Sequence, residues 1–237
     1  MYRTNKVFMY WHSNNIPQEY QDTIQNNKKL CPDIDFVLFN HDTARNYIKS
    51  YYSADCLHAY DKLKPYAYKC DLWRLCILNN ESGIYIDTKV KFTPKFKPWL
   101  KNLNLNNTDN PIKSGILLQD YHYGQESYTT PNNKLSKYPA IQNCFIISNK
   151  NNQFLKLAID NIIENTKNNY YGQTPLSVSG PGLLGRLYTQ HNFNNFIILP
   201  LNYWQTLLTI KFCIKKQTND QPHYHHMWHN KNIYNNI

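Results

Sequence analysis

The chain is poor in the residues from which most nucleotide-enzyme signatures are built. Only 7 of its 237 residues are glycine, and none of them forms a phosphate loop, a dinucleotide fingerprint or a nucleophile elbow. Phosphate-loop nucleotidases, nicotinamide-dependent oxidoreductases and α/β-hydrolases are thereby excluded. The six cysteines (31, 56, 70, 76, 144 and 213) make no CxxC pair and no regular framework, which removes a structural zinc site and a disulfide scaffold. Cys70, Cys76 and Cys144 sit in apolar segments, as buried thiols in a reducing compartment do. No run approaches the roughly 18 to 20 apolar residues of a membrane span. Met-Tyr-Arg-Thr-Asn-Lys leads directly into a strand-like run without a cleavage site, so the expected location is the cytoplasm. There is no internal repeat and no heptad.

What is present fits one folded domain over residues 1–237. Aromatic residues reach 15%, including 20 tyrosines, and apolar runs such as Ile-Leu-Pro-Leu (198 to 201) supply a core, which excludes disorder for most of the chain. Asparagine is about one residue in seven and alanine is scarce, a bias that an AT-rich coding genome imposes. The 26 basic and 16 acidic residues leave a formal charge of +10. Such a balance points to a polyanionic partner (nucleic acid, acidic lipid or a phosphorylated small molecule) or to a solvated basic surface.

Hydrophobic period alternates strands with helices. Lys6 to Trp11 reads as a first strand, Pro17 to Lys29 as a polar helix, Asp33 to Phe39 as a second strand, and Asn40 as the cap of a helix reaching Tyr51. This order predicts an α/β fold with a mainly parallel sheet flanked by helices, its ligand crevice at the carboxyl ends of the strands. Tyr66 to Asn80 is apolar almost all round, a buried helix whose exceptions, Asp71 and Arg74, share one face at i and i+3. After Ser82-Gly83 comes an apolar strand ending on Asp87, with Lys89 to Phe92 alternating beyond it. Ser114 to Gln119 and Asn143 to Ser148 are further strands, separated by a polar loop (120 to 138) suited to an acceptor edge. Asn151 to Asn168 is a helix with a core-facing stripe and Asn151 or Asn152 as its cap, and Ser177 to Gly185 a turn whose N–H groups suit an anion. The histidine-rich stretch from Gln217 reads as a flexible terminus.

The segment from Lys64 to Lys89 closely resembles the core of DXD-containing sugar transferases, glycosyltransferase family 32, among them yeast initiating mannosyltransferases and capsular-polysaccharide transferases, with a more distant similarity to clostridial glucosylating toxins. Asp71 and Arg74 match the family's Asp-x-x-Arg helix, Gly83 its second turn glycine with Ser82 at the first, and Tyr85 and Asp87 the strand that ends in Asp-x-Asp. Lys89 stands in place of the second aspartate, as in giant-DNA-virus members that this chain resembles. Trp11 with Ile16-Pro17, Ala140 to Ser148, Ser179 to Gly182, and Trp228 with Tyr234 resemble the outer blocks, so the likeness covers nearly the whole chain.

The resemblance implies a GT-A (Rossmann-like) fold and a hexosyltransferase that moves a sugar from a UDP- or GDP-sugar to a glycan or glycoprotein acceptor with retention. It places Trp11, Asp71, Arg74, Tyr85, Asp87, Asn143, Ser179, Gly180 and Trp228 at the nucleotide-sugar, and Asp87 and Lys89 at the reacting centre. Mn²⁺ or Mg²⁺ would be the cofactor, held by Asp87 with a tail histidine, His225 or His226. Lys89 opens a second possibility, an ammonium that takes over the ion's charge, and a third, a side chain on the opposite strand face pointing to solvent. Two other functions compete: a catalytically silent nucleotide or glycan binder, and a nucleic-acid binder. The last fails for want of a basic stripe or nucleic-acid motif.

Overall fold

The computed structural model describes residues 5–103, 115–120, 126–129, 133–139, 141–191, 193, 196–210 and 222–237. Ser114, part of the supposed acceptor loop (121–125 and 130–132), Ala140, Cys213 and tail residues 217–221 fall outside them. In chain order the elements are β1 (Lys6–Tyr10), α1 (Gln18–Leu30), β2 (Asp35–Phe39), α2 (His41–Tyr51), α3 (Ala54–Lys62), α4 (Tyr66–Glu81), β3 (Gly83–Ile86), β4 (Val90–Phe92) and α5 (Phe96–Asn102). They continue with β5 (Gly115–Gln119), β6 (Ser127–Thr129), β7 (Leu135–Lys137), β8 (Ile141–Ser148), α6 (Gln153–Lys167), α7 (Pro181–Gln190), β9 (Phe196–Leu199), α8 (Leu201–Trp204), β10 (Leu208–Ile210) and α9 (Tyr224–His229).

The central sheet has the order β2-β1-β3-β8-β5-β9, and only β8 runs against its neighbours. Its inner strands β1, β3, β8 and β5 are largely buried on both faces, since successive side chains leave opposite sides and helices cover each, while edge strand β2 is not. Phe8, Tyr10, Tyr85, Leu117 and Ile146 pack into one cluster with α4, α6 and α7. Val7, Met9, Ile84, Ile86, Ile116, Phe145 and Ile147 pack into the other, with Phe96 of α5 and Trp204 of α8. Helix α4 lies within the first layer, buried from Tyr68 to Leu78, which is why its sequence shows no polar stripe. Ser82 (φ 60) and Gly83 (φ 129) turn the chain from α4 into β3. A Cβ on Gly83 would come 3.0 Å from the Lys6 carbonyl of β1, so only glycine lets these backbones approach so closely.

Three expectations change. The chain does not extend straight past Asp87: the Val90 amide bonds the Asp87 carbonyl at 2.9 Å, closing a turn, and β4 pairs antiparallel with β10 in a separate small sheet. The described part of the 120–138 segment is a hairpin, β6 against β7, with Tyr128 stacked on Tyr138. The described tail is anchored: Lys64 bonds the Ile233 carbonyl and Asn235 the Lys62 carbonyl, and Ile233 and Tyr234 join the core. Asn40 caps α2 by a reciprocal bond with Thr43, and Asn152 caps α6, as the sequence predicts. Cys31, Cys56, Cys70, Cys76 and Cys144 are buried and free. Among the described residues no helix is long and apolar enough to cross a membrane.

Candidate active site

Parallel β1 and β3 end on the same edge of the sheet, and this brings Trp11 and Asp87 together. Antiparallel β8 delivers its beginning there, Gln142 and Asn143, and β5 delivers Asp120. Because α4 runs back toward the start of β3, its first half also lies at this edge, with Asp71 and Arg74 one turn apart. A cavity of about 620 Å³ is lined there by residues including Asp71, Arg74, Asp87, Asp120, Asn143, Pro181, Tyr224 and His225. A smaller crevice of about 290 Å³ is walled by Trp11, His12, Tyr20 and Tyr66. The two share Ala67, Arg74, Asp87 and Lys89.

At the shared wall the charges are tightly organised. The Arg74 guanidinium lies 3.1 Å from Asp71 and 3.3 Å from Asp87, donates to the Asn143 carbonyl, and sits over the Tyr85 ring. Asp71 accepts from the Asn143 amide and the Ser179 hydroxyl, both at 2.8 Å. Burial pushes the Asp71 carboxyl up, and Arg74 and these donors offset only part of that. Burial also works against the Asp87 anion, but Arg74 and Lys89 outweigh it and hold its carboxyl below the ordinary range. The Tyr85 hydroxyl donates to Asp87 Oδ1 at 2.6 Å. Lys89 Nζ lies 3.5 Å from Asp87 Oδ2. Lys89 therefore faces the site, held there by the turn at 87–90.

Of the residues singled out from sequence, Trp11, Asp71, Arg74, Tyr85, Asp87, Lys89 and Asn143 line one or both crevices. Ser179 does not; it is 1% exposed and holds Asp71 from behind. Gly180 stands at the N-cap of α7, beside Asp71, whose Oδ2 an added Cβ would meet at an ordinary contact distance of 3.5 Å. Beside the first turn of α7, a Cβ on Gly182 would meet Glu126 Oε1 at 2.8 Å, and Glu126 pairs with Arg186 through Oε2. Trp228 lines neither crevice and ties α9 to the Tyr171 carbonyl at 2.7 Å. His226 is exposed and bonded to Asn230, while its neighbours Tyr224 and His225 reach the large cavity. Gln142, Tyr66 and Tyr20 carry no sequence signal, since only the tertiary fold brings them to this edge. Asp120 at the end of an apolar strand, like Asp87, was the one hint.

A divalent cation needs carboxylate oxygens free to ligate it. Asp87 offers Oδ1 to Tyr85 and Arg74 and Oδ2 to an ammonium. Among the described residues, no three His, Cys, Asp or Glu side chains are grouped to hold a metal ion. The side chains at this wall do not fit a dication.

A mainly parallel sheet with this crevice at its carboxyl edge is the GT-A fold of glycosyltransferases. The PaToxG glycosyltransferase superposes with a TM-score of 0.53 at 17% identity, over 79% of this chain and 69% of that one. Residues 17–106 match the family described as a glycosyltransferase sugar-binding region containing a DXD motif. An uncharacterized glycosyltransferase, L373, of Acanthamoeba polyphaga mimivirus is 30% identical over 159 residues, which make up 65% of this chain and 61% of that protein. These matches support a place among the glycosyltransferases.

Proposed function

We propose that this chain transfers a sugar, with retention of configuration, from a UDP- or GDP-sugar to a glycan or glycoprotein acceptor, as a family 32 type enzyme. The observation that carries the reading is the pair of crevices, one aromatic and one polar, meeting at Arg74, Asp87 and Lys89. A nucleotide-sugar has the same three-part chemistry. The base stacks in the aromatic crevice against Trp11, whose indole already donates to the Asn15 carbonyl and is thereby held in place. The diphosphate lies at the shared wall beside the two cations. The sugar enters the polar cavity, where Asn143, Gln142 and Asp120 bind hydroxyls.

In the transfer, the bond from the sugar's anomeric carbon to the β-phosphate oxygen breaks and its electron pair stays on that oxygen. The acceptor hydroxyl oxygen bonds to the anomeric carbon on the same face and gives its proton to the departing phosphate. Arg74 and Lys89 face the charge that grows on the leaving group. Asp120, bonded by the Gln142 amide at 3.3 Å, orients the acceptor or sugar hydroxyls. The buried free cysteines agree with work in a reducing compartment, the cytoplasm.

The test is a panel of UDP- and GDP-sugars, read by thermal stabilisation and by release of nucleoside diphosphate. Both signals are expected with at least one donor. Stabilisation without release, across varied acceptors, would mark a silent binder; no stabilisation by any donor would refute the reading.

A further inference from the structure

We infer that Lys89, together with Arg74, stands in the place of a divalent cation, so that this site binds a nucleoside diphosphate without metal. The inference rests on the nucleotide-sugar reading and deepens it. The turn closed between Asp87 and Val90 folds position 89 back over the carboxylate of position 87. Both Asp87 oxygens are engaged, one by Tyr85 and Arg74 and the other by Lys89, so Asp87 acts as a half-buried anchor for two cations. Lys89 keeps 37% of its side chain exposed and lines both crevices, which leaves its ammonium donors able to reach a phosphate in either.

Charge accounting supports the same conclusion. The wall shared by the crevices carries Arg74, Lys89 and Asp87, a net charge of one positive unit. An aspartate at position 89 would make that wall one unit negative, repelling a diphosphate until a dication was added. The difference between lysine and aspartate is two units, the charge of the ion the DXD pattern otherwise recruits. Lysine is a compact point charge with three donors, suited to non-bridging phosphate oxygens that present no fixed fork geometry. As the sugar–phosphate bond breaks, the pair of electrons left on the phosphate oxygen lies beside an ammonium already in position.

Titration of UDP and GDP into the full chain, followed by calorimetry and melting temperature, tests this with EDTA or Mn²⁺ present. Wild type is expected to bind at least one of the two with an affinity that differs less than threefold between EDTA and Mn²⁺. Lys89→Met, which keeps the length of the side chain and removes its charge, should weaken that binding at least tenfold in EDTA while melting within a few degrees of wild type without nucleotide. Lys89→Asp should bind appreciably only when Mn²⁺ is added. Wild-type binding that disappears in EDTA and returns with Mn²⁺ would overturn the inference. So would a Lys89→Met chain that binds as wild type, or a Lys89→Asp chain indifferent to Mn²⁺. Failure of wild type to bind either nucleotide under both conditions would instead overturn the donor reading on which the inference stands.

Discussion

Asp71 is the buried charge on which the site's geometry depends, and replacing it with alanine should destabilise the fold by about 3 kcal/mol. It is 7% exposed and receives three donors, from Ser179, Asn143 and Arg74. Removing one partner of a buried ion pair costs roughly 3 to 5 kcal/mol because the other charge is left in low dielectric. The lower end applies, since Arg74 keeps Asp87 at 3.3 Å, the Asn143 carbonyl and the face of Tyr85. For a chain of this size that cost is a fall in melting temperature of about 6 to 12 °C. Asp71→Asn should lose much less, about 1 kcal/mol. The new amide oxygen accepts from Asn143 and Arg74, and its NH₂ donates to the Ser179 hydroxyl, which accepts as readily as it donates. The desolvation that raises the Asp71 carboxyl is also relieved in the neutral amide. Urea unfolding at neutral pH measures both variants. An alanine variant within about 0.5 kcal/mol of wild type, or an asparagine variant that falls as far as alanine, would refute the reasoning.

Lys69 donates to the carbonyls of Tyr60 and Asp61, and burial lowers its pKa to about 8 from the ordinary 10.5. Below pH 8 both states carry the proton; above it the native state releases it while the unfolded chain keeps it to about 10.5, so this group makes stability rise with pH across that window. Relative to Lys69→Met, wild type should gain at most about 2 kcal/mol between pH 8 and 9.5, measured by urea titration at each pH, and parallel profiles would contradict the assignment. Gly115→Ala places a Cβ 2.1 Å from the Ile147 carbonyl and should destabilise by about 2 kcal/mol or more through forced separation of β5 from β8; a melting curve matching wild type would show the strands yield freely. Trp11→Ala should weaken UDP or GDP binding by the stacking term, about 1 to 3 kcal/mol or roughly 5- to 150-fold. Trp228→Phe should lose about 1 kcal/mol of stability with its bond to Tyr171 yet leave nucleotide affinity unchanged, and calorimetry on the pair would expose any exchange of these roles.

Local signals in the sequence determine a good deal. The two-sided strands, the all-round apolar α4, the Asn40 and Asn152 caps and the break at Ser82-Gly83 are written in residues a few positions apart, because capping and alternation act over that range. Asp71, Arg74 and Asp87 were legible for the same reason, as charges inside apolar elements. What the sequence could not show are contacts between distant segments: Asp120 and Gln142 at the crevice, Ser179 turned inward onto Asp71, Tyr224 and His225 reaching the cavity while His226 and Trp228 do not. These follow from strand order and direction, which set which chain ends meet at one edge of the sheet. The direction of Lys89 belongs with them. Pairing of β4 with β10 draws the chain out of the central sheet after Asp87. The turn this requires carries the ammonium back to the carboxylate. Sequence alone put a lysine where an aspartate is expected; the tertiary fold decided that it faces the site, because the long-range pairing of β4 with β10 sets the turn that holds its ammonium beside Asp87.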